Sequence, residues 1–202
     1  MSVIRKVRAV EKVFAALDGE IRSFQNTSQI RCLEGCGKCC FKPDIEATPL
    51  EFLPLAFDLF LTKRIDEVYA DLNSGEKPYC HLFAPKPLSL DKGSCSQYTH
   101  RGLICRLFGY SAMKGKSGER KYITCRNIKE TQGDKVEAAQ QAINDGGEIS
   151  MMSDFYFRIR SIDPDMGTNR YPINEAMKKA IEYVMAYYAY RRRPPVRRKL
   201  SA

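Results

Sequence analysis

Eight cysteines are the residues of this chain most able to do chemistry, and they fall in two sets. Cys32, Cys36, Cys39 and Cys40 lie within nine residues of one another. Cys36 to Cys39 forms a CxxC knuckle, and Gly37 allows the sharp turn that brings two thiolates to one metal. Four reduced thiols so close together oxidise readily unless something binds them. Neighbouring side chains tend to diverge, so adjacent Cys39 and Cys40 seldom chelate one tetrahedral zinc. They suit two irons of a cluster, or two separate metals. Cys80, Cys95, Cys105 and Cys125 form the second set, at long, loop-like spacings. Their convergence is an expectation from number rather than from spacing.

The totals support ligation over cross-linking. The chain has 202 residues, enough to bury a core without disulfides, and eight cysteines are too few for a disulfide-dense scaffold. No compact apolar segment opens the chain, and no apolar run reaches the length of a membrane span. A cytoplasmic protein with no membrane span is expected, where cysteines serve as ligands or reactive thiols. The net charge is +9, but Arg191, Arg192, Arg193, Arg197, Arg198 and Lys199 supply six of it, leaving an ordinary +3. That basic tail could touch nucleic-acid phosphate or an acidic surface through sequence-independent attraction, with Tyr183, Tyr187, Tyr188 and Tyr190 before it as candidate stacking groups. Its blander reading is a mobile, solubilising end.

The surrounding elements must position the thiols. The expected fold class is α+β, mainly helical, with an irregular cysteine-rich, metal-centred core and a short β-hairpin. Residues 1–25 predict an amphipathic helix: Val3, Val7, Val10, Phe14, Leu17, Ile21 and Phe24 alternate spacings of four and three. Such a seam could zip a homodimer or pack along its own domain. Residues 26–190 read as one cysteine-cluster domain and 191–202 as the tail. Within the domain, Thr48-Pro49-Leu50-Glu51 predicts a capped start to a helix reaching about Leu72, bent near Pro54. Prolines and glycine between 78 and 93 argue against long regular elements. Strands over Arg106–Met113 and Arg120–Cys125 are expected to form a hairpin, followed by helices over Lys135–Asn144 and Asn174–Tyr190. Residues 149–171 suit either state.

At this point the chain resembles the YkgJ-type CxxCxxCC family of zinc- or iron-chelating domains. Cys36-Gly37-Lys38-Cys39-Cys40 matches the end of its first motif, Glu51 the helix position, and Cys80-His81-Leu82-Phe83 the second segment. The run Cys95 to Gly109, with Cys105-Arg106-Leu107-Phe108, matches the third, and Cys125 fits the last cysteine. Three residues separate Cys32 from Cys36 where the family has two, and Gly102 and Gly109 stand where proline is common. The resemblance implies metal chelation. A flagellin lysine methylase type shares the cysteine pattern and is linked to an iron–sulfur cluster.

The expected ligands are thus Cys32, Cys36, Cys39, Cys40, Cys80, Cys95, Cys105 and Cys125. An iron–sulfur cluster of the 4Fe–4S kind is favoured over zinc, and Arg101 and Arg106 would balance thiolate charge. A transferase-type metalloenzyme acting on protein or nucleic acid, and a structural zinc module presenting the tail, are the alternatives. His81 and His100 read as neighbours of the site rather than ligands. Glu34, Asp44 and Glu46 read as solvated charges. Gly115-Lys116-Ser117 lacks the earlier glycine of a phosphate loop, since position 110 is Tyr. No catalytic motif is visible.

Overall fold

The structure is a computed structural model that describes residues 1–42, 44–75, 77–87 and 89–195. Helix α1 (Val3–Ser28) leads to strand β1 (Glu46–Ala47), a 3-10 turn (Pro49–Phe52), α2 (Leu53–Leu61) and α3 (Ile65–Asn73). The cysteine-rich middle holds β2 (Phe83–Lys86), β3 (Ser89–Cys95), α4 (Leu103–Leu107), β4 (Ser111–Lys114), β5 (Arg120–Ile123) and α5 (Arg126–Thr131). Then come α6 (Gly133–Asn144), β6 (Ser150–Met151), α7 (Met152–Ile162), α8 (Pro164–Gly167), β7 (Tyr171–Pro172) and α9 (Ile173–Tyr188). The α+β class is therefore observed, with helices dominant and the strands short.

Helix α1 starts at Ser2, whose hydroxyl accepts from the Arg5 amide, and stops at Gln29 in the left-handed region (φ 56°). Its seam faces inward: Val3, Val7, Val10, Phe14, Leu17 and Ile21 are buried in the main core, packed with α2 and α7. A homodimer zipped through this seam has no apolar stripe left to use, because the chain's own helices fill it. Phe24 belongs to a second, smaller core with Ile30, Tyr122, Ile128, Ala139 and Ile143.

The expected single helix over 49–72 is three pieces. Thr48 and Glu51 close the predicted capping box. Pro54 sits in the first turn of α2, where its missing N–H costs nothing, and the chain changes from 3-10 to α just before it, at Phe52–Leu53. A second break comes at Thr62–Arg64, where Lys63 turns left-handed (φ 61°). That turn lets α2, apolar on nearly every side, pack between α1 and α9 while α3 lies along α9.

Three small sheets tie distant segments. β1 pairs antiparallel with β7, and β2 with β3. β4 pairs antiparallel with β5 and parallel with β6. The expected hairpin exists but begins later than Arg106: Arg106 and Leu107 are helical in α4, both buried, and the strand starts at Ser111. Gly115-Lys116-Ser117 is the hairpin tip, closed by Gly115 N–H to the Glu119 carbonyl (2.8 Å), with Gly118 at φ 87°. The β2–β3 hairpin was masked in the sequence by Pro85 and Pro87. In a two-stranded sheet each strand is an edge, so Pro85 costs little.

α9 appears as expected, over Ile173–Tyr188. Tyr188 stacks on Phe60 (4.6 Å), and Arg193 lies over the same Phe60 ring. Tyr183 and Tyr188 thus serve packing. Of the basic tail, Arg197, Arg198 and Lys199 lie outside the described residues. Among the described residues, no helix is long and apolar enough to cross a membrane.

One buried polar node pins α1 to the C-terminal half. Lys6 pairs with Asp163 and donates to the Tyr183 hydroxyl (2.6 Å). Burial opposes both charges, yet the mutual hydrogen bond prevails: Asp163 is held below the usual carboxylate range and Lys6 above the usual lysine range. The Asp163 contribution is present above its unfolded pKa and is lost as pH falls through its depressed folded value. The Lys6 contribution is lost only at strongly alkaline pH. Asp163→Asn should therefore lower Tm near neutrality, and the gap from the wild type should close as pH falls below the ordinary aspartate range. A gap that stays constant down to pH ~2 would contradict this.

Candidate metal centre

All eight cysteines are free thiols. Their segments are drawn together by main-chain hydrogen bonds. Two tight turns shape the first motif: Cys36 N–H donates to the Leu33 carbonyl (3.2 Å) and Cys40 N–H to the Gly37 carbonyl (2.8 Å). The Cys40 carbonyl then accepts from Cys80 N–H (3.0 Å), and Gly35 carbonyl accepts from Gly93 N–H (3.0 Å). A bridge between Cys36 and Lys92 completes the docking of the motif on β3. β2–β3 places Cys95 opposite Phe83.

Phe83 is the hub of this docking. It contacts Phe41 and Tyr79 edge-on, at 4.9 and 5.7 Å between ring centres. Gly37 and Gly93 both lie against its ring. A Cβ at Gly37 would fall 2.1 Å from it, and one at Gly93 would fall 2.6 Å from it and 2.2 Å from the Ala84 carbonyl oxygen. What requires glycine at position 37 is therefore close packing on Phe83 rather than a left-handed turn, and the left-handed glycine of the motif is Gly35 (φ 67°).

α4 carries Cys105 and is held by Glu51, which is fully buried. One Glu51 carboxylate oxygen accepts from Thr48 N–H (2.8 Å) and the Thr48 hydroxyl (3.1 Å). The other accepts from Leu103 N–H (2.7 Å). Burial raises the Glu51 pKa, and these donors oppose the rise. Gly102 has φ −62°, a value proline also adopts. Gly109 has φ 92°, which proline cannot reach and glycine adopts freely.

Packing sorts the thiols differently from their spacing. Cys40, Cys80, Cys95 and Cys105 all pack on the main core. Cys125 packs on the smaller core, while Cys32 and Cys39 are exposed. Cys40 thus shares the main core with the later cysteines, and Cys125 is set apart from them.

The thiols feel one another. Burial pushes Cys80 up to about 11, with the Cys95 and Cys39 thiolates adding to the rise. Cys32 also rises to about 11, because protein around its sulfur removes water although the residue as a whole is exposed, and Cys36, Cys39 and Cys125 add to it. Burial, then Cys80, Cys39, Glu51 and Cys95, raises Cys105 further. A hydrogen bond between Cys39 and Cys40 makes Cys39 the more acidic and leaves the proton on Cys40. Among the described residues, no three histidine, cysteine or acidic side chains already stand in ligating geometry.

Two arginines bring positive charge. Arg101 favours the thiolates of Cys39 and Cys95, and Arg106 that of Cys95. Both pair with Asp18 of α1, and Arg106 also donates to the carbonyls of Arg101 (3.2 Å) and Thr99 (2.6 Å). The Arg101 Nε is buried and has no hydrogen-bond partner among the described residues. Burial lowers the His81 pKa, with Lys77 adding to the fall and Asp71 opposing it, and His100 Nδ1 lies 3.4 Å from the Gln97 side chain. Glu34 and Glu46 are exposed, and so is Asp44, beside Lys42.

Tyr110, which the sequence offers as an aromatic neighbour of the cysteines, accepts from Cys32 N–H through its hydroxyl (2.8 Å). Several other supporting residues escaped the sequence: Asn127 Nδ2 donates to Cys36 Sγ (3.3 Å). Asn174 clamps both sides of Cys80, accepting from His81 N–H (2.8 Å) and donating to the Tyr79 carbonyl (2.9 Å). Asp18 anchors both arginines. Lone Asn and Asp residues carry no local motif, and only the fold brings them here.

The donor chemistry fits a thiophilic metal or cluster. Soft sulfur is abundant, four thiols rest on apolar core, and a buried guanidinium N–H is left to pair with thiolate or sulfide. Comparison with protein families agrees: the model of the CxxCxxCC family, "Putative zinc- or iron-chelating domain", matches residues 31–141. No curated protein and no solved structure matches the chain significantly.

Proposed function

The chain belongs to the CxxCxxCC family, and from that premise we propose that it is a thiolate metalloprotein whose core-facing cysteines hold an iron–sulfur cluster rather than a lone zinc. The observation that carries this reading is that Cys40, Cys80, Cys95 and Cys105, from four separate stretches of chain, each pack on the main core and lie within electrostatic reach of one another. Burial and mutual repulsion oppose thiolate formation at Cys80, Cys95 and Cys105. A bound cation reverses that balance, since it stabilises the deprotonated ligands.

Iron is favoured over zinc by surroundings more than by donors. Phe41, Tyr79 and Phe83 form an aromatic group on the segments bearing Cys40 and Cys80, which limits water near bound sulfide. Arg101 and Arg106 offset the negative charge a four-thiolate cluster would carry, and the unpaired Arg101 Nε–H is a donor available to sulfur. Reduced thiols suit a reducing compartment such as the cytoplasm.

Metal and acid-labile sulfide analysis of anaerobically purified protein tests the reading. Iron and sulfide in comparable amounts, with broad visible absorption, are expected. Zinc without iron or sulfide in protein made anaerobically with ample iron would overturn the cluster.

A further inference from the structure

Eight thiols exceed what one tetrahedral metal or one four-cysteine cluster requires. We propose that they serve two centres divided at the Cys39–Cys40 peptide: an enclosed one of Cys40, Cys80, Cys95 and Cys105, and an outer one of Cys32, Cys36, Cys39 and Cys125 that holds a single zinc ion. This rests on the reading of the chain as a thiolate metalloprotein and assigns a second site within it.

The division follows from packing. The four enclosed thiols rest on the main core. The outer four come from the first motif and from Cys125, whose side chain packs on the smaller core. The contact that joins them runs through Asn127, two residues beyond Cys125, which donates to Cys36 Sγ at 3.3 Å, and Cys125 lies within electrostatic reach of Cys32. Cys125 Sγ in turn accepts from Ile128 N–H at 3.4 Å. Such N–H donors stabilise sulfur that carries negative charge. Tyr110 fixes the backbone at Cys32, and the Gly37 turn closes the CxxC knuckle.

Cys39 hydrogen-bonds Cys40 and lies within electrostatic reach of Cys80, Cys95 and Cys105 as well as of Cys32. Coordination number assigns it outward, because the enclosed set has four thiols without it while the outer has three. Exposure decides the metal. Cys32 and Cys39 are open to solvent, where an iron–sulfur cluster is vulnerable and redox-inert zinc is not.

The test compares full-length, anaerobically purified wild type with the Cys32→Ser, Cys36→Ser, Cys125→Ser triple variant. Wild type is expected to hold about one zinc per chain beside its iron and sulfide. The variant should lose the zinc and keep iron, sulfide and visible absorption. Folded variant that retains zinc, or that loses iron and zinc together, overturns the division, as does zinc-free wild type made with ample zinc. If the variant does not fold, a chromophoric zinc chelator applied to wild type decides. Release of zinc with iron retained supports two centres, and no release, or joint loss, overturns them. Zinc lost by the variant from a protein that never held iron leaves the outer site standing and removes the cluster. Absence of every metal removes both proposals.

Discussion

Glu51→Gln is expected to destabilise the protein by roughly 1–3 kcal/mol despite its near-identical shape, and Glu51→Ala, which removes both acceptors, by more. Both carboxylate oxygens of Glu51 are acceptors, one facing Thr48 N–H and the other Leu103 N–H. An amide has a single acceptor oxygen, so either orientation turns an NH2 group toward a buried N–H. Each orphaned, desolvated donor costs roughly 1–3 kcal/mol. Because Leu103 opens the helix that carries Cys105, metal content should fall along with stability. Urea unfolding together with metal analysis measures both. Glu51→Gln protein with wild-type stability would show that the carboxylate is not the clamp.

Gly93→Ala should have the larger effect on the site itself. The added Cβ meets the Ala84 carbonyl oxygen at 2.2 Å and the Phe83 ring at 2.6 Å, so backbone must separate for the β2–β3 hairpin to accommodate it. Overpacking of this kind costs on the order of 1–3 kcal/mol, and more where backbone moves. The displaced Phe83 would also release Gly37 and the first motif, which it packs against. A lower Tm and loss of bound metal are expected together. Gly118→Ala, at a hairpin tip with open space around it, should lower Tm only through its left-handed φ and leave metal content intact. Equal metal loss in both variants would contradict the packing account.

These predictions concern residues the sequence marked unevenly. Glu51 was legible, because a Thr-Pro-x-Glu start is a local signal and a capping box is local geometry. The seam of α1 was equally legible, though periodicity cannot tell whether its partner is another copy or the same chain. The break at Lys63 was not, since a left-handed lysine carries no local signature and is imposed by how α2 and α3 pack on α9. The hairpin partner of the cysteine motif was hidden because Pro85 and Pro87 resemble loop.

At the site, residue type was readable and grouping was not. Every cysteine was a candidate from composition and spacing. Which ones share an environment depends on contacts far apart in sequence, such as Cys40 with Cys80 and Cys36 with Asn127. Spacing placed Cys40 with its neighbour Cys39, whereas packing places it with Cys80, Cys95 and Cys105. Asn127, Asn174 and Asp18 gave no sign at all, because hydrogen bonding across the fold is their whole contribution.

The central claim is that metal is held here by cysteine sulfur, and X-ray absorption at the metal edges of anaerobically purified protein tests it most directly. The account predicts an all-sulfur first shell at the iron edge, with nearby iron scatterers, and sulfur at about 2.3 Å at the zinc edge. A first shell dominated by nitrogen or oxygen at either edge would contradict it.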